Sequence, residues 1–288
     1  MKEITFYYTG DSFPAISVTG RSCALNCKHC NRRMLENLYS AKSNEELLKL
    51  AKNFSKKNAR GLLLTGGCDG EARVPIYRFV EAIRRVKEET NLIVLAHTGI
   101  IDYDTAKLLK EAGLDGVSLD IVASEEVTES IYGIKIPKEK YKESLLALKK
   151  AGIKVISPHV CVGLYYGKLS HELDSLDLIS CIAPTEIIII ALMPLKGTPM
   201  ENVKVKPNSV VKIVEEARKR FPKTRIILGC AHSVGEDRAL IEELVINKVD
   251  GIAMPTPKVE RLAERLNFKI YRQSTCCALP LLEGDCLG

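Results

Sequence analysis

From residue 14 to residue 267 the chain alternates short, β-branched apolar runs with amphipathic stretches of helical period, and no Gly/Ser-rich or Pro-rich linker interrupts the alternation. This rhythm builds a parallel sheet, because a strand followed by a crossover helix returns beside its predecessor in the same direction. The eight predicted strands are Pro14 to Thr19, Gly61 to Thr65, Leu92 to His97, Gly116 to Ile121, Lys154 to Val162, Glu186 to Met193, Arg225 to Cys230 and Gly251 to Met254. Between them, apolar residues recur at spacings of three and four, as in Leu47, Leu50, Ala51 and Phe54; Ile76, Phe79, Val80 and Ile83; Val210, Ile213, Val214 and Ala217; and Leu240, Ile241, Leu244 and Val245. Each such helix has one face to bury. The strands are nearly continuous runs of Val, Ile and Leu, as required where helices cover one face and barrel packing fills the other. The expected architecture is therefore α/β, a (β/α)8 TIM-type barrel over residues 1–267, and a length of 288 residues with 46% hydrophobic content supports one such unit. A doubly wound open sheet competes with it, but no G-x-G-x-x-G follows the first predicted strand, so a dinucleotide-binding version has no support.

The longest apolar runs, such as Glu186 to Pro194, fall short of the roughly 20 residues that a bilayer span needs. The N-terminus lacks the apolar stretch and cleavage site of a signal peptide. A soluble cytoplasmic protein with no membrane partner is expected. The net charge of +6 is spread over helical stretches with acids interleaved, for example Lys49, Lys52, Lys56 and Lys57, and reads as solvated faces, not as a nucleic-acid patch. Ten cysteines without an export signal argue for metal binding, because the cytosol keeps thiols reduced. Three fall within eight residues near the N-terminus and three within the last thirteen.

The first group is Cys23-Ala-Leu-Asn-Cys27-Lys-His-Cys30, a C-x3-C-x2-C run in the loop after the first predicted strand, on the catalytic face of a barrel. Three thiolates so spaced can wrap a cubane iron–sulfur cluster and leave its fourth iron without a protein ligand. A structural zinc site is the alternative, but it lacks a second C-x-x-C or H-x3-H partner. After the second predicted strand comes Thr65-Gly66-Gly67-Cys68-Asp69, and the later strand ends carry His97, Asp120, His159, Cys161, Cys230 and His232, polar where a working face would be.

This pattern resembles the radical S-adenosylmethionine (radical SAM) superfamily over essentially the whole chain. The resemblance implies a [4Fe-4S] cluster on Cys23, Cys27 and Cys30, with SAM chelating the open iron through its amino and carboxylate groups. An electron from the cluster then yields methionine and a 5′-deoxyadenosyl radical that abstracts a substrate hydrogen. The position before the last cysteine is usually aromatic, and His29 meets this loosely. Gly66 and Gly67 correspond to the segment that contacts the SAM amino group. Cys68 stands where a Glu is usual, so either Asp69 compensates or the backbone alone serves. Asp120 and His159 are expected to face the nucleoside or substrate, and Gly163 to lie in the adenine-contacting segment. The loop Pro194-Leu-Lys-Gly-Thr-Pro199 and Gly229-Cys-Ala-His232 look most like archaeal biotin-synthase-related proteins, and among these like a subunit of the two-component lipoyl synthase.

Residues 268–288 form a cysteine-bearing tail expected to fold back on the barrel. Cys276, Cys277 and Cys286 would hold an auxiliary iron–sulfur cluster that supplies sulfur, with Cys230, Cys68 or nothing as fourth ligand. Cys181 reads as core packing. The expected activity is hydrogen abstraction from, and sulfur insertion into, a protein-bound octanoyl chain. Partners under that reading are a second radical SAM subunit, an octanoylated carrier protein or peptide, and a ferredoxin-type reductant. A methylase, mutase or cofactor-maturation enzyme with an electron-transfer cluster is the alternative within the superfamily. A non-catalytic iron–sulfur carrier or redox sensor is the alternative outside it.

Overall fold

The structure, a computed structural model, describes residues 2–232 and 235–280. Its elements are β1 (Glu3–Tyr7), β2 (Ala15–Ser17), β3 (Tyr39–Ser40), α1 (Asn44–Lys56), β4 (Gly61–Thr65), α2 (Val80–Glu89), β5 (Ile93–His97), α3 (Tyr103–Glu111), β6 (Gly116–Asp120), α4 (Glu125–Tyr132), α5 (Lys138–Lys150), β7 (Val155–Val162), α6 (Glu172–Ile179), β8 (Glu186–Ala191), α7 (Pro207–Arg220), β9 (Arg225–Leu228), α8 (Gly235–Val245), β10 (Gly251–Ala253), α9 (Pro257–Arg265) and β11 (Lys269–Gln273). The strands form one sheet in the order β11-β1-β10-β9-β8-β7-β6-β5-β4-β2-β3, and every pairing is parallel. The eight predicted strands are present as β2 and β4 to β10. β1, β3 and β11 are additional, and β1 joins the two chain ends: Glu3 to Tyr7 run in register with Lys269 to Gln273.

Local sequence sets the helix ends. Ser43, Asp102, Ser124 and Thr256 each accept a backbone N–H of the following first turn, and Pro207 and Pro257 occupy first-turn positions where a missing N–H costs nothing. The helices bury their apolar stripes on the outer face of the sheet. On α8 the stripe is narrower than the period implies: Ile241 and Val245 are buried, while Leu240 and Leu244 remain exposed. No helix among the described residues is long and apolar enough to cross a membrane.

A second, inner core fills the lumen. The sheet edges β11 and β3 do not pair, so the barrel has an open seam, and residues 276–279, after β11, pack inward. Cys276, Cys277, Ala278 and Leu279 pack against Tyr7, Phe13, Leu95, Ile188, Ile227 and Ala253, which come from five strands and the loop before β2. Ser157 on β7 donates its hydroxyl to Ala278 O at 3.0 Å, satisfying a carbonyl that the apolar lumen would otherwise strand. Gln273 Nε2 likewise bonds Pro280 O at 3.4 Å. Residues 276–279 are thus the plug of the barrel.

Replacing Leu279, 3% exposed, by Ala should destabilise the chain by about 2–5 kcal/mol, as for other buried leucines. Urea unfolding at fixed pH measures this. An unchanged midpoint would mean that the tail does not fill the lumen.

Candidate active site at the carboxyl end of the barrel

The cysteine loop leaves β2 at the carboxyl end of the sheet and is fixed there by backbone contacts. Ser17 Oγ donates to Gly20 O at 2.6 Å, and Ser22 N bonds Thr19 O at 3.1 Å. Cys30 N and Asn31 N both reach Cys27 O, at 3.1 and 2.8 Å, so the last two cysteines share one tight turn. Asn31 and Arg32 complete it in the left-handed region, at φ 45° and 65°. Lys28 N donates to Ile131 O at 2.8 Å, tying the loop to α4.

The glycine segment after β4 presses on this loop. A Cβ at Gly67 would lie 2.1 Å from Ser22 O and 2.5 Å from Cys23 Cβ, so only glycine fits. Gly67 N donates to Thr19 Oγ1 at 2.7 Å, and Ala24 N to Cys68 O at 2.8 Å. Asp69 takes no part at the cluster loop: its carboxylate accepts from Glu71 N, Arg73 N and Arg73 Nε within its own turn, at 2.9, 3.0 and 3.0 Å.

Cys23, Cys27 and Cys30 are free and half-buried. Burial, then the neighbouring Cys30 and Cys23, pushes the Cys27 thiol up to about 12. A metal removes exactly this obstacle, since coordination deprotonates a thiol outright. Among the described residues no three His, Cys, Asp or Glu side chains come together as a site for one metal ion. The donor set of the C-x3-C-x2-C run, three soft thiols in one loop, fits an iron–sulfur cubane. His29 Nδ1 is buried without a hydrogen-bond partner, an orphaned polar atom in the same turn. Burial draws the His29 pKa down to about 4, so the ring is neutral at pH 7.

Asp120, exposed at the end of β6, supplies negative potential to this mouth, acting on His29, His97, Cys161 and Cys68. The His97 and His159 rings stack edge to face at 4.9 Å, with His159 Nδ1 3.0 Å from Ser157 O. Burial, then His97, lowers the His159 pKa to about 3. Cys161, two residues further along β7, is raised by burial and then by Asp120. Gly163 follows at φ +75°, its N–H held at 2.8 Å by Glu172, whose other oxygen accepts Ser170 N at 2.6 Å.

Of the tail thiols, Cys276 and Cys277 meet each other, and Cys277 meets Cys230. Cys277 donates to Cys230, which lowers the Cys230 pKa, while hydrogen bonds to Cys230 and Cys276 raise that of Cys277. Cys276 and Cys277 are buried in the lumen, and Cys286 lies outside the described residues. Cys68 is not part of this group: Cys23 and Cys27 are the thiols that act on it. His232 is also corrected. It is fully buried, with Nδ1 2.7 Å from Gly229 O and Nε2 3.3 Å from Glu242, whose Oε2 holds Thr256 N and Oγ1. That is a strut between β9, α8 and α9, and the ring does not line the mouth. Cys181, just after α6, packs on the outer core.

Sequence reasoning passed over several positioning residues. Thr19 and Glu172 looked like an ordinary strand end and an ordinary first-turn acid. Ser157 gave no signal, since its partner is a carbonyl 121 residues away. At the barrel floor, Arg225 bonds Glu186, Thr5 and Tyr7 at 3.2 Å each. Burial lifts the Glu186 pKa to about 7 against the pull of Arg225.

Two outcomes follow from this geometry. Gly67→Ala should displace the cysteine loop and at least halve iron uptake on anaerobic reconstitution, while the far-ultraviolet circular dichroism stays that of the wild type; full uptake would show that the contact is slack. His159 binds a proton in the unfolded chain near pH 6.5 but in the folded chain only near 3. Its contribution is therefore complete above 6.5 and lost as pH falls from 6.5 toward 3. His159→Asn should flatten that acid-side loss in urea melts at pH 7 and pH 5, and equal slopes would contradict it.

The model of the Radical SAM superfamily matches residues 17–179, and that of the Biotin and Thiamin Synthesis associated domain matches residues 189–266. The chain is 27% identical over 237 residues to biotin synthase of Coxiella burnetii, covering 77% of this chain and 70% of that protein. Among solved structures it resembles methylornithine synthase (PylB), with TM-score 0.65 and 19% identity over 94% of this chain and 85% of the other. It also resembles the FeFe-hydrogenase maturase HydG of Carboxydothermus hydrogenoformans, with TM-score 0.66 and 20% identity over 93% of this chain and 68% of the other. These likenesses are of fold. The superfamily match spans more than half of the chain and contains the cysteine loop, the glycine segment, Asp120 and Gly163, the elements gathered at the barrel mouth: the chain belongs to the radical SAM superfamily.

Proposed function

We propose that this chain inserts sulfur into an aliphatic chain, and that its acceptor is a protein-bound octanoyl group, as in one component of a two-protein lipoyl synthase. The observation that carries the reading is the thiol group Cys230, Cys276 and Cys277, the last two buried on the plug and the first exposed after β9. Bound on Cys23, Cys27 and Cys30, a [4Fe-4S] cluster would supply the electron that splits SAM into methionine and a 5′-deoxyadenosyl radical. An auxiliary cluster on Cys276, Cys277 and Cys286, with Cys230 as fourth ligand, would supply the sulfur. The match to the Biotin and Thiamin Synthesis associated domain and the biotin synthase relatives support a chemistry of this kind.

The residues of the chain contribute placement and exclusion of water. Gly66 and Gly67 offer backbone to the SAM amino group, next to the loop that carries the cluster ligands. Glu172 holds Gly163 in the left-handed turn that would meet adenine. Ile190, partly buried beside the plug, adds apolar surface suited to an alkyl chain. A His159 ring held neutral adds no charge to that surface, and Asp120 is free of hydrogen-bond partners among the described residues to bind a hydroxyl of the nucleoside or a polar group of the substrate.

The partner reading is a carrier domain or peptide bearing the octanoyl group, together with a second radical SAM subunit and a ferredoxin-type reductant. Charge on the mouth supports an acidic partner. Arg21, Arg32 and Arg33 on the cysteine loop and Lys168, Lys196 and Lys204 after β7 and β8 are exposed, and none pairs with an acid among the described residues. Such a field speeds encounter with an acidic surface and is screened by salt.

Anaerobically reconstituted protein incubated with SAM, dithionite and an octanoylated peptide tests this through the mass of the peptide. The expected product carries added sulfur. Changing Cys276, Cys277 and Cys286 together to Ala should abolish that gain while deoxyadenosine is still released. Sulfur-free turnover by the wild-type chain would instead assign it to methyl transfer, rearrangement or cofactor maturation, with the tail cluster moving electrons.

A further inference from the structure

A fourth thiol, Cys68, sits beside the cysteine loop. Cys68 follows Gly67 at the end of β4, and its backbone runs alongside the first cluster cysteine. Its carbonyl accepts Ala24 N at 2.8 Å, and Gly67 leaves no room for even a methyl group against Cys23. The side chain is half-buried and free, and its thiol bonds no described residue. Burial raises its pKa first, and Cys23, Cys27, Asp120 and Asp69 raise it further, in that order. Asp69, the only carboxylate in the segment before Glu71, is spent on its own turn. The tail thiols do not claim Cys68 either, since Cys277 is partnered by Cys230 and Cys276.

A soft thiolate is a better iron ligand than a carboxylate, and it is available as soon as the metal takes the place of its proton. We propose that Cys68 is a fourth ligand of the radical cluster, capping the otherwise vacant iron while SAM is absent and leaving it when SAM binds. On capping, the thiol loses its proton as the iron–sulfur bond forms. On SAM binding that bond breaks, the SAM amino and carboxylate groups take the iron, and the thiolate is reprotonated; no electron changes hands. The exchange keeps adventitious ligands off the cluster between turnovers. It also weakens apparent SAM affinity by the fraction of enzyme in the open form. This inference rests on the cluster being held by Cys23, Cys27 and Cys30, and it is independent of sulfur insertion.

Alkylation reads the exchange directly, because the tryptic peptide from Gly61 to Arg73 contains Cys68 as its only cysteine. Reconstituted wild-type protein is treated anaerobically with iodoacetamide, with and without SAM, and the peptide is quantified by mass spectrometry; metal-free protein is the control. SAM should raise labelling of Cys68 several-fold in the holoprotein and leave it unchanged in the metal-free chain. In parallel, Cys68→Ala and Cys68→Ser should bind SAM about tenfold more tightly than wild type if the capped form makes up about nine-tenths of the enzyme. Their reduced clusters should also show, without SAM, an electron paramagnetic resonance spectrum that shifts on adding imidazole, which the wild-type spectrum does not. Labelling that SAM leaves unchanged or lowers overturns the proposal, because a mere neighbour is covered by the cofactor. SAM affinity that is unchanged or weaker in both variants overturns it as well. Failure of sulfur transfer alone leaves these readouts intact, whereas a wild-type chain that takes up no iron at Cys23, Cys27 and Cys30 removes the foundation of both readings.

Discussion

The contact on which the site depends is the one between Gly67 and Cys23. Two loops that leave neighbouring parallel strands are brought so close that one of them can carry no side chain. Thr19 and Cys68 fasten the same junction with hydrogen bonds on either side. The position of three thiols is thereby set by the sheet and not by the mobility of a long loop. A cluster held on such a loop stays within a fixed distance of whatever the glycine segment binds. For radical chemistry this spacing is the decisive property, since a hydrogen is abstracted only from a group held within near-contact distance.

A second constraint comes from the open seam. Parallel strands 1 and 11 tie the two ends of the chain together, and the residues after them enter the lumen in place of the side chains that close an ordinary barrel. The plug does two things at once: it completes the inner core, and it carries two buried thiols to the side of Cys230. Core packing and a pair of thiols therefore share one short segment. Cys230, which meets Cys277, comes from the loop after β9, far from the tail in sequence.

Much of this was legible in the residues. The βα rhythm gave eight of the eleven strands because buried parallel strands are continuous apolar runs with helices between them. The C-x3-C-x2-C spacing, the glycines and Gly163 are local patterns, readable without knowing what lies opposite. What escaped depends on contacts distant in sequence. β1 is only five residues and is recognisable as a strand through its pairing with β10 and β11. His232 has the composition of a site residue and the surroundings of a strut, which only Glu242 reveals. Asp69 looked able to replace the missing carboxylate until its partners in the 69–73 turn were seen. The basic residues of the mouth come from three separate loops, so their convergence cannot be found by scanning for charge runs.

The account stands on the cysteine loop holding a cluster that reduces SAM. Its most direct measurement is the stoichiometry of 5′-deoxyadenosine and methionine released when the anaerobically reconstituted chain is mixed with SAM and dithionite, read beside its metal content. The account predicts equal amounts of the two products, dependent on each of Cys23, Cys27 and Cys30, from protein that contains iron and sulfide. A chain that holds zinc at those cysteines, or that carries a full cluster and releases neither product, would contradict it.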